Sequence, residues 1–204
     1  ERMIAEKGKE HLIKNEVPKK DEVLKESIKE DKVVYLTFDD GPSENTVKVL
    51  DILKKNSLRL ADIQAVIEEM EPLPGALEFL AWLKEQCQYV ILSDTFYEFA
   101  APFMRKLGNP LLLCNSLEVD ESGNISDYKM RLNDGKRHAV LAFKQLNFDV
   151  LSMGDSFNDT TMLLESEYGI LFRPSDSVRE QFPQLPVAYE YEEVKKLLNV
   201  ALNK

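Results

Sequence analysis

From residue 33 onward, mostly apolar runs of strand length alternate with amphipathic stretches. The runs are VVYLTF at 33–38, YVIL at 89–92, LLLC at 111–114, VLSM at 150–153 and YGILF at 168–172. They lack the apolar–polar alternation of a half-exposed strand, and so read as strands buried on both faces. Between them, apolar residues recur three and four positions apart, as Val47, Leu50, Ile52 and Leu53 do. That spacing predicts helices over 44–55, 60–70, from Gly75 through Leu83, and over 97–107, 136–146, 159–166 and 190–202. Pro72 and Pro74 break the chain ahead of the third helix, and Gly108 ends the fourth. Residues 118–130 resemble a hairpin turning at Glu121-Ser122-Gly123-Asn124. Residues 1–32 carry Lys, Glu and Asp of mixed sign with few apolar residues, and predict a solvated helix or a loose extension. Strands alternating with helices predict an α/β fold built on a parallel sheet covered on both faces.

Composition narrows the partners. The chain has 204 residues, 44% hydrophobic and 30% charged, which suits one domain with a small insert and a substantial core. Its net charge of −10 argues against nucleic acid or an anionic membrane surface as partner. It leaves a small phosphorylated metabolite open, because a metal ion and one lysine set the local field. Cys87 and Cys114 lie in apolar surroundings and read as buried free thiols rather than a disulfide framework or a zinc site. No apolar run reaches membrane-spanning length and the polar N-terminus is unlike a signal peptide, so a cytoplasmic protein is expected.

Candidate chemistry gathers at the carboxyl ends of the expected strands, where open α/β sheets keep their ligands. The run GDSFNDTTML at 154–163 delivers Asp155 and Asp159 into a polar turn after the strand at 150–153. Two carboxylates there make a hard-oxygen site suited to Mg²⁺, while an Asp-rich turn that caps a helix is the plainer reading. Asn158 adds an amide within reach of a substrate. Ser93 follows the strand at 89–92; its hydroxyl could donate to a phosphate oxygen, with the amides of Asp94 and Thr95 as further donors, or it could simply cap a helix. Lys136 opens a helix after Asp134-Gly135. It could neutralise a phosphate and hold a neighbouring carboxylate ionised, or be a solvated surface lysine. The order of these features, a hydroxyl, a lysine and then paired aspartates, separates them from their plainer readings.

That order resembles the haloacid dehalogenase superfamily, and within it the phosphoserine phosphatases that also act as homoserine phosphotransferases. The resembling stretches are LRLADIQ (58–64), PLPGALEF (72–79), VILSDTFYEF (90–99), DGKR (134–137), MGDSFNDTTML (153–163) and GILF (169–172). The resemblance implies a Rossmannoid parallel sheet over 32–204 with helices on both faces and a short helical cap at about 43–72. It implies Ser93 and Asp94 as phosphate and substrate contacts, and Lys136 as the lysine of the phosphate and nucleophile. It also implies Asp155 as a Mg²⁺ ligand, Asn158 as a substrate contact, and Asp159 as metal-associated or behind the ligands.

The superfamily also uses an Asp-x-Asp/Glu motif after its first strand, in which one carboxylate attacks phosphorus and the other is the general acid/base. Here Thr37-Phe38-Asp39-Asp40-Gly41 holds the place, with the carboxylates adjacent. Adjacent side chains of an extended strand point to opposite sides, so a backbone turn at Gly41-Pro42 is needed to bring both to one metal. Matching the glycine sets Phe38 at the nucleophile's position and Asp40 at the acid's. Asp39 and Asp40 are the catalytic candidates, and Asp39 a metal-ligand candidate as well. Residues 32–53 (KVVYLTFDDGPSENTVKVLDIL) resemble instead the start of a polysaccharide deacetylase, where Asp39 would be the base and Asp40 a metal ligand. That family's His-x-x-x-His pair is missing, since His11 and His138 are far apart and in no such motif. The chain therefore reads as a deacetylase-like start joined near 50–58 to a phosphatase-like remainder. The expected function is a Mg²⁺-dependent phosphomonoester hydrolase, phosphoserine phosphatase-like and able to transfer to homoserine, working through an aspartyl phosphate. A phosphate- and metal-binding domain without turnover, and more distantly a deacetylase fragment, are the alternatives. In a cap this short, Lys48 and Lys54 are the basic candidates for a substrate carboxylate.

Overall fold

Alternation along the strands divides the core in two. In the computed structural model, which describes residues 2–6, 31–38 and 58–202, strands β1 (Arg2–Glu6), β2 (Asp31–Phe38), β3 (Tyr89–Phe96), β4 (Leu111–Val119), β5 (Ile125–Lys129), β6 (Phe148–Gly154), β7 (Tyr168–Phe172) and β8 (Val187–Ala188) form one eight-stranded sheet. Ile91, Leu151, Met153, Ile170 and Phe172 face one layer of helices, α2 (Ala76–Gln86), α3 (Tyr97–Lys106) and α7 (Tyr191–Leu202), through Phe79, Leu83, Met104, Val194 and Leu198. Val90, Leu92, Val150 and Leu171 face the other layer, α4 (Gly135–Gln145), α5 (Phe157–Glu165) and α6 (Asp176–Gln181), through Val140, Met162, Leu163 and Val178. The period-two geometry of a strand sends neighbours to opposite faces, and the mostly apolar runs are the consequence of burying both. This is the expected α/β fold with helices on both faces.

Parallel pairs β4–β3, β3–β2, β2–β6, β6–β7 and β7–β8 make the body of the sheet. β5 returns antiparallel to β4 as a hairpin. β2 therefore has β3 and β6 as parallel neighbours, and the carboxyl ends of the three lie side by side. Phe38, the last residue of β2, pairs with Ser93.

Several elements differ from expectation. Residues 2–6, expected as helix or loose extension, form β1, antiparallel to β2 and β3; Met3, Ile4 and Ala5 give this segment a short apolar run that the charged residues around it mask. α6 and β8 were not foreseen: of the six residues of α6 only Val178 is buried, and β8 has two residues, so neither leaves a period to read. β3 continues past Leu92 to Phe96. β4 runs unbroken from Leu111 into the hairpin. Both cysteines are buried and free, as expected.

Within the stretch expected as a cap, α1 (Leu60–Glu69) is present and docks on the core. Leu60 and Ile63 pack against Phe96, Leu117 and Ile125. The Leu60 N–H donates to the Gly123 carbonyl in the hairpin turn at 2.9 Å, and Gln64 Nε2 to the Glu98 carbonyl at 2.7 Å. Asp39, Asp40, Lys48 and Lys54, and the helix expected over 44–55, lie outside the described residues. No helix among the described residues is long and apolar enough to cross a membrane.

Candidate active site

The site grows from a break in strand pairing. β3 and β4 are in register at Leu92↔Leu113 and again at Phe96↔Asn115, so four steps of β3 span two steps of β4. The excess is a bulge at Ser93-Asp94-Thr95, and bulges of this kind re-aim side chains beside sites. Ser93 Oγ accepts the Thr95 N–H at 3.1 Å. The Thr95 amide, expected as a substrate donor, is spent on Ser93. Asn115 Nδ2 donates to the Asp94 carbonyl at 2.8 Å and so meets a backbone oxygen that lies in the bulge.

Lys136 enters from the first turn of α4 and is only 3% exposed. Its Nζ lies 2.7 Å from Asp94 Oδ2 and 3.2 Å from Asp159 Oδ1. The two elements it joins are also tied by Asp134, whose left-handed φ of 51° turns the chain into α4 and whose Oδ1 accepts the Thr161 hydroxyl at 2.8 Å. An aspartate tolerates that conformation better than most side chains.

Asp159 is fully buried. While Oδ1 meets Lys136, Oδ2 accepts the backbone N–H groups of Asp155 at 3.2 Å and Ser156 at 3.0 Å. It thus performs the helix-capping role and fixes the lysine at once, with both oxygens engaged by the protein. Asp155 sits half-buried one residue beyond β6, and Asn158 is exposed in the first turn of α5. Lys136 is thus held between the carboxylates of Asp94 and Asp159. Among the described residues no group of three His, Cys, Asp or Glu converges on one point.

A cavity of about 330 Å³ opens on this strip, lined by Ser93, Asp94 and Lys136 and also by Cys114, Asn115 and Arg131. Burial pushes the Cys114 thiol up to about 12, so it stays protonated at neutral pH and is no nucleophile. The structure brings Ser93, Asp94, Lys136 and Asp159 together with the backbone of Asp155. Asn115 and Arg131 were missed. Asn115 had a signal, as the polar residue just after the expected strand LLLC; Arg131 had none.

Comparison with known proteins agrees with this fold. The chain is 52% identical over 155 residues to a phosphoserine phosphatase of Pseudomonas syringae pv. tomato, covering 76% of this chain and 65% of the relative. It is 52% identical over 147 residues to the phosphoserine phosphatase ThrH of Pseudomonas aeruginosa, covering 72% of each. The chain thus spans about two thirds of the length of the first relative. A solved phospho-aspartyl intermediate analogue of a phosphoserine phosphatase superposes with a TM-score of 0.57 at 18% identity, over 80% of this chain and 97% of that one. Separately, residues 26–61 match the polysaccharide deacetylase family profile.

Proposed function

This chain belongs to the phosphoserine phosphatase family of the haloacid dehalogenase superfamily, and we propose that it hydrolyses a small phosphomonoester, phosphoserine or a close analogue, with Mg²⁺. The carrying observation is Lys136, a buried ammonium held by two carboxylates against the cavity that Ser93 lines. A desolvated, preorganised cation beside a hydroxyl donor is what a transferring phosphoryl group requires. In this reading Ser93 donates to a phosphate oxygen, Lys136 balances the phosphate charge, and Asp94 and Asp159 hold Lys136 in place. Asn158, exposed at the start of α5, contacts the substrate from the solvent side.

The residues fit Mg²⁺. This ion is held by one or two carboxylates together with substrate phosphate oxygens and water. Asp155, with Asp39 or Asp40, would be those carboxylates. Bound there, Mg²⁺ would neutralise charge on the phosphoryl oxygens. Asp159 serves as the anchor of Lys136 rather than as a ligand. The nucleophile is Asp39 or Asp40, which follow directly on the β2 position paired with Ser93. Its carboxylate oxygen forms a bond to phosphorus as the ester P–O bond breaks, and the leaving alkoxide takes a proton from the other aspartate. Water, or a second alcohol such as homoserine, then accepts the phosphoryl group. The solved relative trapped as a phospho-aspartyl analogue supports this order of steps.

The test is phosphate release from phosphoserine with Mg²⁺, comparing the parent with Asp155→Asn. We expect activity that depends on Mg²⁺ and falls about a hundredfold or more in the variant. Undiminished activity in Asp155→Asn would overturn the assignment. The register that sets Phe38 opposite Ser93 supports a second reading, a domain that binds phosphate and metal without turnover.

A further inference from the structure

Ser93 is buried, so the aim of its hydroxyl is set by the protein around it. One contact is the Thr95 N–H, which donates to Ser93 Oγ at 3.1 Å. That N–H belongs to the same peptide group as the Asp94 carbonyl, and the carbonyl accepts Asn115 Nδ2 at 2.8 Å. A peptide group is planar and trans, so its N–H and C=O point in opposite directions. Holding the oxygen therefore fixes where the N–H is directed. Asn115 is 5% exposed and is anchored through its other amide atom, since Oδ1 accepts the Arg131 N–H at 2.9 Å. Only this orientation of the side chain suits both partners, one a donor and the other an acceptor. The peptide group it holds lies in the bulge, where β3 and β4 are out of register, so a side chain supplies the order that strand pairing does not.

We infer that Asn115 is a positioning residue for the phosphate end of the site, acting on Ser93 through the Asp94–Thr95 peptide group. The inference rests on the phosphatase reading for what Ser93 contacts. Without the Asn115 amide the Asp94 carbonyl loses its hydrogen bond, the peptide group is free to rotate, and the Thr95 N–H no longer holds Ser93 Oγ in one place. A donor that is already aimed costs no reorganisation when charge develops, and that advantage is what Asn115 supplies. Its effect on phosphate therefore passes through Ser93 and disappears when the Ser93 hydroxyl is removed.

The experiment is a double-mutant cycle read by the Kd of inorganic phosphate, by calorimetry with Mg²⁺, and by kcat/KM on phosphoserine. The parent, Asn115→Ala, Ser93→Ala and the double variant are compared, with thermal melts confirming that each folds. Asn115→Ala should bind phosphate about ten- to a hundredfold more weakly, the range for one hydrogen bond to a charged group. In the Ser93→Ala background the same change should cost about twofold or less, because residues that act as a unit are not additive. A loss through general destabilisation would instead be the same in both backgrounds. Asn115→Asp, the variant closest in shape, guards against a misfolded alanine variant. Ionised, it keeps the acceptor and loses the donor; protonated, which burial favours, it has both again. Its phosphate affinity relative to the parent should therefore rise as pH falls. Asp94, Arg131, Lys136 and His138 around the cavity, and Glu98, which accepts the Leu117 N–H, are common to both proteins, so the ratio isolates position 115. Unchanged binding in Asn115→Ala, additive losses, or a ratio that stays flat with pH would refute the inference. Coupled losses of phosphate binding in a protein without turnover would uphold it and defeat the hydrolase reading. A parent that does not bind phosphate would defeat both.

Discussion

Asp159 is the residue at which the plain and the chemical readings of the sequence meet. As a sequence feature it was either a cap or a metal carboxylate. In the fold it is fully buried, caps the turn after β6 with one oxygen and holds Lys136 with the other. Removing one partner of a buried ion pair costs far more than the pair contributes, because the remaining charge stays desolvated. Asp159→Ala should therefore lower unfolding free energy by about 3–5 kcal/mol without any metal present. Denaturant titration in a chelator is the check, and Asp159→Asn should lose less because it keeps an acceptor for the amides. A loss visible only with Mg²⁺ would instead make Asp159 a ligand. Ser93, Lys136 and Asp155 were legible because each follows an expected strand or opens an expected helix. Arg131 was not, because it is placed by a side-chain amide that only the fold brings near.

At the scale of elements, apolar runs located the central strands well, since burial on both faces leaves few polar positions. Sequence could not show the bulge in β3, because VILSDTF has no residue that demands one; it is apparent only from the pairing with β4. The joint between α5 and β7 is another close fit that pattern alone hides. A Cβ at Gly169 would lie 2.3 Å from the Leu163 carbonyl oxygen, near the end of α5. Backbone cannot yield there without moving the helix whose first turn carries Asn158 and Asp159. Gly169→Ala should cost about 1–3 kcal/mol or more, the usual range for overpacking, read as an earlier urea midpoint. It should also reduce activity through displacement of α5. A midpoint equal to the parent's would show that α5 shifts freely.

For the molecule as a whole, the sheet reconciles the two resemblances. The segment that matches the deacetylase profile contributes β2, and β2 has β3 and β6 as parallel neighbours in the same sheet as the rest of the chain. The last residue of β2, Phe38, pairs with Ser93 at the carboxyl edge, and Asp39 and Asp40 follow it in sequence. The fold was legible because patterning in the rest of the chain is consistent with one sheet; the chemistry of the join was not, because adjacent aspartates decide nothing until a backbone turn does. The most direct measurement is acid quenching of the parent during turnover of phosphoserine with Mg²⁺, followed by peptide mapping for a phosphoryl group. We expect the group on Asp39 or Asp40, and its absence in Asp155→Asn. A phosphoryl group on neither aspartate, or on another residue, would contradict a phosphatase built on this first strand.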